Sequence, residues 1–113
     1  MADNLKVLGQ LDPAATTVTT LYTVPDMTQT TVSSIVAANR TGSAITFRLS
    51  VHVAGAGADD KQYLYYDKSV AANDSLTIVI GITLNQTDVV KVYISAVDMS
   101  FNMFGCETKE EDR

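Results

Sequence analysis

The sequence predicts an all-β fold: a single antiparallel β-sandwich of seven or eight strands, Ig-like or jelly-roll-like, with an extended N-terminal arm. At least four windows alternate apolar and polar residues with a period of two, and no window shows the 3.6-residue period of an amphipathic helix. Clusters of Gly, Asn and Asp separate these windows at roughly ten-residue intervals, a spacing typical of sandwich folds.

The N-terminal arm is predicted over residues 1–15, because its apolar residues are interrupted by polar residues and a glycine and the segment is too short for a stable helix. We expect residues 16–106 to form the sandwich without it. The arm's apolar side chains are then expected to dock on a neighbouring subunit or on a partner protein. They are Leu5, Val7, Leu8 and Leu11. Residues 107–113 are predicted to form an acidic C-terminal tail.

The strands follow in order along the chain. Ile45–Val53 is the clearest, because five apolar residues alternate with four polar ones over its whole length. Gly81 is expected to mark a bulge or bend within its strand. The predicted strands are Thr17–Val24, Thr30–Ala38, Ile45–Val53, Gln62–Ser69, Leu76–Leu84, Val89–Ala96 and Met99–Phe104. The side chains predicted to face inward include Ile45, Phe47, Leu49, Val51, Ile78, Ile80, Val90, Val92 and Ile94.

A charge-poor stretch covers residues 16–58. It holds three charged residues, Asp26, Arg40 and Arg48, where the chain's average of 19% would place about eight, and it holds ten of the fourteen threonines. Soluble monomers usually protect their sheets and strand edges with charged side chains. A β-rich segment covered with Thr and Ser instead favours a surface that another subunit covers, so we expect self-association, as a homotrimer.

The composition argues against several partners. The formal net charge is −5 and the eight basic residues are scattered singly, which argues against nucleic-acid binding, since that binding depends on phosphate neutralisation. No apolar stretch approaches the ~20 residues of a membrane span. The N-terminus also lacks the basic segment and apolar run of a signal peptide.

No enzyme, metal site or cofactor is predicted. The single histidine, His52, falls on the polar face of its strand and is expected to be exposed, and no Gly-x-Ser-x-Gly motif is present. One histidine and one cysteine are too few for a transition-metal site. Cys106 is expected to fill space in the core.

Three tyrosines, Tyr63, Tyr65 and Tyr66, lie close together in one predicted strand. Aromatic faces can bind sugars, so this cluster is an alternative candidate for a carbohydrate platform. Ordinary packing with the phenol at the rim is the competing interpretation, and we favour it.

Short motifs give the chain a resemblance to a known group. They are Leu21-Tyr22-Thr23-Val24-Pro25, Val32-Ser33-Ser34-Ile35-Val36 with Asn39-Arg40, Phe47-Arg48, Gln62-Tyr63-Leu64-Tyr65-Tyr66-Asp67, Asn73-Asp74-Ser75, Gly81-Ile82-Thr83-Leu84, Thr87-Asp88-Val89-Val90-Lys91-Val92-Tyr93 and Ser100-Phe101-Asn102-Met103-Phe104-Gly105. In this order they resemble small structural proteins of tailed bacteriophages, over about residues 17–106.

The resemblance implies a virion component made in the bacterial host cytoplasm. Capsid cement (decoration) proteins of this size are commonly β-sandwich trimers on the head surface, which implies a phage major capsid protein as partner. A small tail, neck or fibre component is the competing placement. The resemblance carries over no functional residues.

Overall fold

The computed structural model describes residues 2–109, with side chains from Asn4 onward. The nine strands are β1 (Ala2–Leu11), β2 (Thr19–Thr23), β3 (Thr28–Asn39), β4 (Ile45–His52), β5 (Tyr63–Val70), β6 (Ser75–Ile78), β7 (Ile82–Leu84), β8 (Val89–Ile94) and β9 (Met99–Lys109). Two short 3-10 turns, Val53–Gly55 and Asp60–Gln62, lie between β4 and β5. Across residues 2–109, no helix has the length and apolar character needed to cross a membrane.

The strands form two antiparallel sheets that pack as a sandwich, which confirms the predicted fold class. One sheet has the order β1-β9-β3-β6, with β7 also paired to β3, and the other has the order β2-β8-β4-β5. The pairing is nested: the first strand pairs with the last, the second with the second-last, and β4 with β5. Of the two architectures that the sequence left open, this nested wrapping is that of a jelly roll.

One edge of the first sheet is an interrupted strand. β6 pairs with Ile35–Ala38 and β7 with Thr30–Val32, so the two short strands lie end to end along β3. The predicted strand Leu76–Leu84 is therefore split at residues 79–81, a break that includes Gly81, the glycine expected to bend it.

The core lies between the sheets. Phe47, Phe101 and Met103 are fully buried, and the ring of Phe47 packs edge-on against that of Phe101 with 5.7 Å between centroids. Of the nine side chains predicted to face inward, seven are buried, while Val51 and Ile80 are partly buried and pack against the core. Period-two alternation therefore placed the inward face correctly.

The predicted N-terminal arm is instead strand β1, and this is a correction. Ala2–Leu11 makes nine antiparallel register pairs with β9, with one shift between Val7 and Gly9. The physical reason is that β9 would otherwise expose a long row of unpaired backbone groups. A boundary at residue 15 therefore does not separate this segment from the sandwich.

The C-terminal strand extends further than predicted. β9 continues to Lys109, so the first three residues of the predicted acidic tail belong to the sheet. The rest of that tail, residues 110–113, lies outside the described residues.

Candidate functional site

Among the side chains that the structure describes, none that is charged lies across the middle of the outer face of the β1-β9-β3-β6/β7 sheet. On β9, Phe101 and Met103 are fully buried, so the residues that alternate with them, Asn102, Phe104 and Cys106, face outward. The register places Leu5, Val7 and Gln10 of β1 beside them on one side and Thr31, Ser34 and Val36 of β3 on the other, and Ala38 follows along β3, opposite Ser100. We call these ten residues the neutral face.

The neutral face explains where part of the charge-poor stretch lies. β3 belongs to residues 16–58, and its outward residues are uncharged. At one end the face stops at Arg40, whose guanidinium donates to Ser100 Oγ at 2.8 Å and pairs with Asp12 at 2.8 Å. Cys106 is partly buried within this face rather than in the core, which corrects its predicted role.

The four apolar residues predicted for an interface divide into two pairs. Leu5 is 83% exposed and Val7 is 47% exposed, and both belong to the neutral face. Leu8 is buried in the core, and Leu11 packs against it. The structure therefore leaves only Leu5 and Val7 available to a partner, because Leu8 and Leu11 stabilise the chain's own sandwich.

The opposite outer face, on the β2-β8-β4-β5 sheet, carries an aromatic and charged cluster around Arg48. The Arg48 guanidinium carbon lies 4.2 Å from the ring centroid of Tyr66 and 4.5 Å from that of Tyr93. Its Nε donates to Asp67 Oδ1 at 2.7 Å, and this hydrogen bond is the main cause of a raised pKa for Arg48. Tyr63 adds an edge-on contact to Tyr66, with centroids 4.9 Å apart.

Local β-bulges build this cluster. The β4–β5 register shifts between Phe47 and Leu49, where Arg48 faces both Tyr66 and Asp67, and Asp67 has a positive φ of 52°. The bulge turns a ring and a carboxylate toward the same guanidinium. A second shift, between Leu49 and Ser50, occurs opposite Tyr65 and Tyr63.

The tyrosine platform predicted from the sequence is only partly assembled. Tyr63 and Tyr66 lie together, but the Tyr65 ring packs on the core residue Phe47 at 5.8 Å. Tyr93, from β8, takes part instead; alternation with the buried Val92 and Ile94 places it outward, but it was not among the tyrosines predicted for the platform. Arg48 lies over the rings of both Tyr66 and Tyr93, so one face of each ring is already in use.

His52 is buried, at 3% exposure, and the prediction of an exposed histidine was wrong. Its Nδ1 lies 2.8 Å from the carbonyl oxygen of Ala56, so that nitrogen is the donor, and its Nε2 lies 2.9 Å from Ser50 Oγ. The turn after β4 folds back over the imidazole ring, so both ring nitrogens of the buried His52 have a hydrogen-bond partner.

The distance between Ser50 Oγ and His52 Nε2, 2.9 Å, is one that a catalytic serine and its general base would also show. Ser50 is only 6% exposed, however, and His52 Nδ1 is held by a backbone carbonyl instead of a carboxylate. The nearby carboxylate, Asp88, accepts from the backbone N–H groups of Ala54 and Asn85. Within residues 4–109, no three His, Cys, Asp or Glu side chains form a group that could hold a metal ion.

A polar link joins the two sheets beside β1. The Tyr22 hydroxyl of β2 donates to Glu107 Oε2 of β9 at 2.5 Å and lies 2.8 Å from Thr30 Oγ1 of β3. Lys6 Nζ of β1 holds the other oxygen of Glu107 at 3.3 Å. Burial, and then the hydrogen bond to Glu107, raise the pKa of Tyr22 well above its usual 10.0. This link holds strands of both sheets in register.

Comparisons with known proteins give a likeness of fold. No protein-family model matches the sequence, and no curated protein sequence matches it. A chain in the solved structure of infectious bursal disease virus, Gx strain, is similar, with a TM-score of 0.54 and 12% sequence identity. The match covers 94% of this chain and 30% of that one, so this chain spans under a third of the viral chain's length. At this identity the likeness concerns the fold alone.

Proposed function

We propose that the protein is a non-enzymatic structural component of a virus particle. The observation that carries this proposal is a jelly roll, shared with a chain of a virus structure, whose outer sheet face is neutral in a molecule of net charge −5. A neutral, flat sheet face suits burial against another subunit, because contact there costs no desolvation of charge. In a virus particle, neighbouring subunits would cover this face.

In its finer form, the proposal is a cement or decoration protein on the head of a tailed bacteriophage. Its partners are further copies of itself, as a homotrimer, and the phage major capsid protein. The resemblance of the sequence motifs to structural proteins of tailed bacteriophages supports this form. A cement protein sums many weak contacts over a repeating lattice, which raises avidity without any catalytic group. An acidic chain also avoids capturing nucleic acid.

Co-sedimentation tests this function. Purified protein is mixed with phage heads that lack it, and the heads are pelleted and assayed for bound protein at increasing salt. We expect saturable binding at a fixed number of copies per head and increased resistance of the heads to heat. Binding that does not saturate, or that is absent from heads and present on isolated tails, contradicts the head placement.

The second candidate is a small tail, neck or fibre component that binds carbohydrate. The observation favouring it is the cluster of Tyr63, Tyr66 and Tyr93 around Arg48 on an outer face, where Tyr66 is 58% exposed. A glycan array with the isolated protein tests it. Specific binding that is lost in Tyr66→Ala and kept in Tyr65→Phe favours this candidate, and no binding to any glycan contradicts it.

A further inference from the structure

We propose that copies of the chain join head to tail through the two opposite edges of the β1-β9-β3-β6/β7 sheet. The β1 edge, centred on Leu5, packs against the β6–β7 edge of the next copy, centred on Val79. This inference rests on the proposed function as a self-associating structural protein, and it names the surfaces that associate.

The exposed apolar side chains point to these two edges. Leu5 is 83% exposed and Val79 is 79% exposed, the two highest values among the large hydrophobic side chains that the structure describes. The strand order places β1 at one edge of the sheet and β6 with β7 at the other. Val79 lies in the break between β6 and β7, where the ladder along β3 is interrupted.

The other sheet protects its edges. β5 carries Asp67 and Lys68 and has two register shifts against β4, which twist an edge away from partners. β2 is irregular in its pairing with β8. β1 also has one register shift, between Val7 and Gly9, and carries Asp3 and Lys6, but it runs for ten residues and the charge of Lys6 is tied back to Glu107 at 3.3 Å.

Charge fits a second copy as the occupant. Residues 75–87, which include β6 and β7, have no charged side chain, and Leu5 and Val7 belong to the neutral face. Two copies of a chain with net charge −5 repel each other, so contact is favoured where neither carries charge.

The geometry also selects the symmetry. An interface between two different edges is heterologous, and repeating it generates a closed ring when the rotation closes. A contact of β1 with a second β1 would give a two-fold dimer instead. Head-to-tail contact therefore agrees with the homotrimer expected from the sequence, whereas contact of like edges does not.

Three single variants test the inference by sedimentation mass: Leu5→Lys, Val79→Lys and, as the matched control, Val97→Lys. Val97 is 55% exposed and lies in the loop between β8 and β9, the central strands of the two sheets. We expect the wild type and the control to sediment at three times the 12.1 kDa of one chain, and both edge variants to sediment as monomers. Circular dichroism must show the same β spectrum for all four proteins.

Mixing the two edge variants separates the two symmetries. In a head-to-tail contact, each mixed pair keeps one intact interface, so an equimolar mixture is expected to form a two-chain species that neither variant forms alone. A mixture that stays monomeric, or a Val79→Lys variant that assembles like the wild type, overturns the inference. So does a monomeric wild type, and in that case co-sedimentation with heads still decides the proposed function separately.

Discussion

Tyr22 and Glu107 are hydrogen-bonded across the sandwich at 2.5 Å, although they lie 85 residues apart in the chain. The contact joins β2 of one sheet to β9 of the other, and Lys6 and Thr30 complete it from β1 and β3. It therefore anchors β1, the strand on which Leu5 and Val7 are exposed, to both sheets.

Tyr22→Phe is expected to lower the free energy of unfolding by about 1–2 kcal/mol, because Thr30 and Glu107 lose a partner inside a part-buried site. Urea unfolding at pH 8 measures the change. Tyr63→Phe is the matched control, because no hydrogen bond of its hydroxyl is part of this link, and it should change stability by less than about 0.5 kcal/mol. Equal losses in the two variants would contradict the role given to Tyr22.

The same tyrosine predicts a pH dependence. Its folded pKa is raised above the usual 10.0, so above pH 10 the unfolded chain loses this proton while the folded chain keeps it. The stabilisation is therefore complete below pH 10 and falls as the pH rises further, by up to about 1.4 kcal/mol per pH unit. The stability difference between wild type and Tyr22→Phe should shrink between pH 9 and pH 11. A stability difference that stays constant over this pH range would contradict a raised pKa for Tyr22 in the folded protein.

Phe47→Ala is expected to cost about 3–5 kcal/mol, the range for removing a buried aromatic ring. Phe47 is fully buried and contacts the rings of Phe101 and Tyr65. Chemical denaturation of the purified variant gives the value. A loss below about 1 kcal/mol would place Phe47 outside the core.

Gly105→Ala is expected to destabilise the first sheet by about 1–3 kcal/mol. A Cβ at Gly105 would collide with the backbone oxygen of Thr31 and approach Leu8 Cδ1 to 2.9 Å, so β3 and β9 would have to separate. The control is Gly42→Ala, where a Cβ meets nothing within 4 Å. Thermal melting compares the two, and an equal effect would show that the close approach of β3 and β9 is not required.

Removing residues 1–13 is expected to lower the melting temperature strongly or to prevent folding. The deletion takes away β1, exposes the edge of β9 and loses the burial of Leu8 and Leu11, each worth about 1.5–3 kcal/mol when complete. Val97→Ala is the control, because that side chain is 55% exposed, lies outside β1 and should have little effect on melting. A truncated protein that melts like the full chain would show that residues 1–13 do not stabilise the sandwich, as predicted from the sequence for an extended arm.

The sequence predicted the strands where alternation is unbroken, such as Ile45–His52, and it missed the pairing of β1. Two apolar residues, Val7 and Leu8, are adjacent where the β1–β9 register shifts, so the period of two fails there. Pairing with a strand some ninety residues later leaves no local signal. His52 was misplaced for a similar reason, because its burial depends on the turn that brings Ala56 over the ring.

The candidate surfaces were predictable only in part. The charge-poor composition of residues 16–58 predicted a neutral surface, and the register shows that its β3 residues share one sheet face with residues of β1 and β9. The Arg48 cluster depends on a bulge that turns Tyr66 and Asp67 to the same side, and alternation alone cannot predict a bulge.

An electron-microscopy map of virus particles produced from the genome that encodes this chain tests the proposed function most directly. We expect jelly-roll density at repeated positions on the head surface, in trimeric groups, with the β1 edge of each copy facing the β6–β7 edge of its neighbour. If the protein is found neither in the map nor by mass spectrometry of the particle's components, the proposed function as a structural component is contradicted.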